Sequence, residues 1–121
     1  MAYNIAVASN DGESINQHFG RATRFYVYQV NAENYTFVRV INTNGFCSGS
    51  GHDENRLVSL AEGLEGCRAV LVSQIGLGAA KFLKGKGIDS FDVQDFIHNA
   101  LKKLIKYYAK IDGGKQTGQK N

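Results

Sequence analysis

A chain of 121 residues, 43% apolar and 21% charged, is long enough for one core and too short for two, and its composition excludes disorder or a coiled coil over most of its length. Its net charge of +3 invites a nucleic-acid reading that the distribution removes, because residues 1–101 carry a net of −2 and residues 102–121 a net of +5. Lys102, Lys103, Lys106 and Lys110 fall late in an expected last helix, where cations complement the negative end of the helix dipole, so nucleic acid is not an expected partner.

In chain order, YNIAVAS (3–9) is β-branched and apolar enough for a buried strand and is ended by the turn signal NDGES. After an opening loop, FYVYQV (25–30) and TFVRVI (36–41) are predicted as two strands of a hairpin. Their nearly continuous apolar and aromatic content predicts a sheet covered on both faces. NTNGFCSGSGH (42–52) is too rich in glycine and serine for regular structure and leads to Asp53, a plausible helix N-cap. Leu57, Leu60, Ala61 and Leu64 repeat at the spacing of one buried helical face, which Gly66 ends.

RAVLVSQ (68–74) follows as a short buried strand, LGAAKFLKG (77–85) as a short helix and GIDSF (87–91) as a last strand. From Asp92 onward, Val93, Phe96, Ile97, Ala100, Leu101, Leu104, Ile105 and Tyr108 mark a long amphipathic helix, with His98 off its apolar stripe and expected in solvent. DGGKQTGQKN has the composition of a disordered end, so a single domain over 1–111 and a tail over 112–121 are expected.

The order β, β, β, α, β, α, β, α implies an α/β fold, a mixed five-stranded sheet with helices on both faces. Ligands of such sheets sit beyond the strand ends, where neighbouring loops meet. Residues 10–24 and 73–78 share one rim if the first and fourth strands are parallel neighbours. Residues 42–52 join them only if the third strand runs the same way.

No apolar run reaches the roughly 18 residues of a membrane span, and the N-terminus lacks a secretory signal, so a cytoplasmic protein without a membrane partner is expected. Cys47 and Cys67 are too few for a disulfide scaffold. A reducing compartment keeps them as thiols, free for metal or cluster chemistry. Cys67, at the entrance of a buried strand, is expected to pack as a small apolar residue.

The loop NQHFGRATRF (16–25) concentrates chemistry-bearing groups. Neutral imidazole is a good ligand for iron, zinc or copper, and His18 stands two residues before Gly20. Phe19 is expected in the core, fixing where the loop turns, and Gly20 to supply any positive φ. Arg21 and Arg24 can attract an anion or pair with local carboxylates. Cys47 and His52, five apart in CSGSGH, are a thiolate and an imidazole that suit an open or partial metal site but not a closed tetrahedral one. SQIGLGAAK (73–81) passes from strand through glycines into a helix, where backbone N–H groups can hold an anion; alternatively, Gly76 and Gly78 let the helix pack closely on the sheet.

With IAVASNDGESINQHFGRATRFYVYQV at the start, a cysteine-bearing glycine loop, GCRAVLVSQIGLGAAKFLKGKGI and a closing helix, residues 3 to 110 resemble the dinitrogenase iron-molybdenum cofactor biosynthesis family. These are the NifX-like domains also found at the C-terminus of NifB. The resemblance implies a ribonuclease-H-like three-layer α/β/α sheet. It also implies a non-enzymatic carrier of iron-sulfur clusters or FeMo-cofactor precursors, with cluster-assembly and acceptor proteins as partners. By position it makes His18 the leading cluster ligand and Cys47, with His52, a secondary one. Asn16, Gly20, Arg21 and the turn Ser73, Gln74, Gly76, Gly78 would shape the pocket. Gln74 stands where relatives often carry a basic residue.

Two other functions compete. A nuclease on the same sheet needs several carboxylates converging on two metal ions, whereas YNIAVAS and AVLVSQ contain none. A regulatory or interaction module would keep the fold without metal cargo.

Overall fold

A computed structural model describes residues 2–31, 33–43 and 53–120, with residues 53–56 and 113–120 described in their backbone alone. Five strands, β1 (Tyr3–Ala8), β2 (Arg24–Asn31), β3 (Asn34–Asn42), β4 (Cys67–Val72) and β5 (Asp89–Asp92), form one sheet in the order β3-β2-β1-β4-β5. β1 is antiparallel to β2 and parallel to β4, β2 is antiparallel to β3, and β4 is parallel to β5. The helices are α1 (Asp53–Gly63), α2 (Leu77–Gly85) and α3 (Ile97–Lys120).

Two cores flank this sheet because alternate residues of each strand point to opposite faces. Ala6, Ala8, Val70 and Val72 meet Leu60 and Leu64 of the α1 segment and Leu83 of α2 on one side. Ile5, Val7, Ala69 and Leu71 meet Leu101, Leu104 and Tyr108 of α3 on the other. The expected mixed five-stranded sheet with helices on both faces is therefore present. Cys67 is buried in the first core, and burial pushes its thiol pKa up, as suits an inert packed cysteine.

Two expectations need correction. β3 is not covered on both faces: it is the edge strand, and Phe37, Val38 and Val40 are exposed. An apolar run does not distinguish an edge from a centre, and only the strand order places β3 beyond the helices. The last helix starts at Ile97 rather than Asp92. Asp92 ends β5 opposite Val72, and the next residues bind the opening loop, with Ile15 N–H donating to the Asp95 carbonyl at 2.9 Å and Ile97 N–H to that of Glu13 at 2.8 Å. His98 is exposed but engaged, its Nδ1 paired with the Tyr35 hydroxyl of β3.

The backbone of α3 stays helical through Lys120, and Asp112 is tied to the domain. Its carboxylate takes two hydrogen bonds of 3.0 Å from the Arg68 guanidinium, which lies 3.7 Å over the Tyr108 ring. No helix among the described residues is long and apolar enough to cross a membrane.

Candidate functional site

The pairing directions open several loops on one rim. β1, β4 and β5 run together, and β3, two antiparallel steps from β1, runs with them. The segment leaving β3 thus departs from the same rim. Thr43 lies there, its N–H donating to the Thr23 carbonyl at 3.0 Å and its buried hydroxyl to the Ala22 carbonyl. Cys47 and His52 lie outside the described residues.

The loop from β1 to β2 is heavily braced. Ser9, buried, accepts the Gly12 N–H at 2.9 Å, and Asp11 Oδ1 accepts the N–H groups of Glu13 and Ser14 at 2.8 and 3.1 Å. Those amides hold the Asp11 carboxyl below its usual pKa, a capping role. Gly12 turns the chain at φ +75, where a Cβ would meet the Tyr26 ring at 3.2 Å. The Asn16 side chain exchanges two hydrogen bonds with Asn10, to its main-chain N–H at 3.0 Å and to its side chain at 2.8 Å. Gln17 spans to Thr23, accepting its N–H at 3.1 Å and donating to its hydroxyl at 3.2 Å. Nothing in the sequence pattern singled out Gln17 or Thr43.

His18 sits where this loop meets the one that follows β4. Its backbone forms a parallel bridge with Gln74: Ser73 N–H donates to the Gln17 carbonyl at 3.0 Å and Phe19 N–H to the Gln74 carbonyl at 2.8 Å. These two bonds extend the β1–β4 pairing beyond the strands. Phe19 is buried in the core, and a 3-10 turn over Phe19–Arg21 carries the chain on. The His18 side chain is exposed, and neither ring nitrogen is hydrogen-bonded among the described residues. The main chain of His18 is thus fixed on both sides, and its lone pair is uncommitted among the described residues.

Glycine dominates the neighbourhood. Gly20 does not take a positive φ, so its expected conformational role is corrected. Gly76 and Gly78 do not allow close packing either, because a Cβ on Gly20, Gly76 or Gly78 would meet no described atom within 4 Å. All three are exposed, and they leave bare backbone on the two loops that His18 and Gln74 join.

Gly76 caps α2 without a side-chain acceptor, and the N–H groups of Leu77, Gly78 and Ala79 donate to nothing among the described residues. Ser73 N–H is spent on Gln17, and Ile75 N–H leans on Asp92 Oδ2 at 3.4 Å. The helical end of the turn from Ser73 to Gly78 is therefore open to an anion. Arg21 and Gln74 are exposed on the same loops. Among the described residues no three His, Cys, Asp or Glu side chains gather into a metal site.

The model of the family described as dinitrogenase iron-molybdenum cofactor matches residues 1–107. The chain belongs to that family. Protein NifX of Klebsiella pneumoniae is 33% identical over 118 residues, spanning 96% of this chain and 72% of that protein. The FeMo cofactor biosynthesis protein NifB of Chlorobaculum tepidum is 39% identical over 97 residues, covering 80% of this chain and 22% of its own length. The NifB of Frankia alni is 32% identical over 103 residues, 83% of this chain and 20% of that protein. The chain thus spans about a fifth of the NifB relatives it matches. Among solved structures, PH0822 aligns with a TM-score of 0.66 at 22% identity over 85% of this chain and 89% of its own. The apo form of the orange protein from Desulfovibrio gigas aligns at 0.58 and 21% identity over 91% and 88%. These two likenesses show a fold that this chain shares with both.

Proposed function

We propose that this chain is a small carrier, not an enzyme. It takes up an iron-sulfur cluster of the FeMo-cofactor-precursor kind on His18 and passes it between cluster-assembly and acceptor proteins. The observation that carries this reading is the exposed imidazole on a doubly bridged backbone, neither of its nitrogens hydrogen-bonded among the described residues. A cluster fills most of its iron valences with its own sulfides, so one or two protein ligands and a few N–H donors suffice to hold it. An exposed site with so few ligands also permits release.

On this reading the open N–H groups of Leu77, Gly78 and Ala79 face an anionic core at the positive end of α2. Gly20, Gly76 and Gly78 give it room, and Arg21 adds a cation. Asn16 acts one step back by holding the loop through Asn10. Cys47 and His52 are proposed as further ligands from the segment that begins beside Ala22 and Thr23. The same reading takes the fold as ribonuclease-H-like, residues 1–111 as the working domain, residues 112–121 as a tail and the cytoplasm as the site of action.

Anaerobic reconstitution with ferrous iron and sulfide, followed by visible absorption, tests it. Wild type should acquire a stoichiometric cluster chromophore and His18→Ala should lose most of it. Full uptake by the variant would remove His18 from the site, and no uptake by wild type would favour an interaction module without cargo.

A further inference from the structure

On the other face of the sheet, a second cleft of about 430 Å³ opens where residues 12–13 approach β2, β3 and the first turn of α3. The opening loop crosses the end of the sheet between the two sites, for Ile15 packs in the α3 core and Phe19 in the α1/α2 core. The cleft is walled by the rings of Tyr28, Tyr35 and Phe96, with His98 and Asn99 on the helix and Glu13 on the loop. Its volume is that of a small-molecule site.

Two independent features point to an occupant. Tyr28 is only 9% exposed, yet its hydroxyl has no hydrogen-bond partner among the described residues. No fully enclosed side-chain oxygen or nitrogen there lacks a partner, so this hydroxyl keeps an opening, and the cleft is the one it lines. A phenol with its ring buried and its hydroxyl accessible can offer that hydroxyl to a ligand.

The second feature is the start of α3. The Phe96 carbonyl accepts the first helical bond, from Ala100 N–H at 3.0 Å, which makes Phe96 the N-cap. Polar residues normally hold that position because their oxygens accept the next N–H groups, and an apolar cap costs about 1 kcal/mol. Phe96 has no side-chain acceptor to offer, and the residue is 61% exposed. The Asp95 carboxylate does not substitute, being spent on Phe96 N–H at 2.7 Å, the Asn99 side chain at 3.3 Å and Lys103 at 3.3 Å. The main-chain N–H groups of His98 and Asn99 therefore have no acceptor among the described residues.

We propose that this cleft binds a small aromatic carboxylate. Its ring lies against Tyr28, Tyr35 and Phe96, and its carboxylate accepts hydrogen bonds from the His98 and Asn99 N–H groups and the Tyr28 hydroxyl. The pairing of Tyr35 with His98 holds two walls in register. Glu13 is the one acidic group lining the cleft, and it opposes the ligand's charge. His18 lines no part of this cleft.

Amide-resolved NMR titration of the full chain tests this with three probes: benzoate, benzamide as a ring without charge, and acetate as charge without a ring. Benzoate should give saturable shifts at Gly12, His98 and Asn99 and bind at least about ten-fold more tightly than the other two. Tyr28→Phe, which removes only an unpaired hydroxyl, should weaken benzoate about ten-fold. Phe96→Ala should weaken it comparably, Glu13→Gln should tighten it, and His18→Ala should leave it unchanged. The proposal is overturned if benzoate binds no better than acetate, if its shifts centre elsewhere, or if Tyr28→Phe binds as wild type does.

Discussion

The ring of Phe19 packs against that of Phe25 with 6.1 Å between centroids and a 60° tilt, while the residue before it, His18, stands in solvent. Adjacent side chains thus have opposite surroundings, and the buried one positions the exposed one. With Phe19 in the core and the main chain bridged to Gln74, the point from which the imidazole projects is fixed.

Replacing Phe19 with alanine should therefore cost about 3–5 kcal/mol, the range for deleting a buried phenyl ring, and should lower the urea midpoint accordingly. Phe19→Leu should recover most of that loss. A midpoint unmoved by the alanine variant would mean that the loop is not anchored through this ring.

Gly78 lies in the first turn of α2 with room for a Cβ. Gly78→Ala should stabilise the fold by up to about 1 kcal/mol, because alanine loses less backbone entropy in a helix. Thermal melts read that gain. If cargo approaches the backbone there, cluster uptake should fall in the same variant, separating binding from stability. Uptake equal to wild type would place the cargo elsewhere.

Tyr108 is 2% exposed and donates to Asp89 Oδ2 at 2.7 Å. Burial first, and then the hydrogen bond to the Asp89 carboxylate, push its pKa far above the ordinary 10.0. The folded chain keeps this proton where the unfolded chain has released it. The associated stability is complete below about pH 10 and is lost as pH rises beyond it. Tyr108→Phe should cost about 1–2 kcal/mol at pH 8 and show a shallower decline above pH 10. Urea titrations at pH 8 and 10.5 measure both; equal declines would contradict the assignment.

The elements that were legible were those where a local pattern and a tertiary role coincide. Leu57, Leu60, Ala61 and Leu64 repeat at helical spacing and do meet the sheet, and LGAAKFLKG matches α2 in its bounds. β3 misled because its apolar content equals that of a covered strand, although Phe37 and Val38 face solvent. Val93 and Phe96 extended a helical stripe on paper, but the amides and carbonyls around Asp95 pair with the opening loop instead of continuing a helix. A periodic pattern registers what a side chain prefers and carries no information about a backbone partner eighty residues away.

The same division runs through the candidate site. The amino-acid sequence by itself determined the family and the order of elements and made His18 the candidate ligand, because these rest on residue identities within short segments. Only the tertiary structure decided that the loops after β1 and β4 join through His18 and Gln74, and that Gly76 and Gly78 are bare rather than packed. It alone left the Tyr28 hydroxyl without a partner among the described residues, beside a helix that begins at Phe96. The physical reason is that hydrogen-bond satisfaction and exposure belong to pairs of segments brought together by folding, so no single segment encodes them.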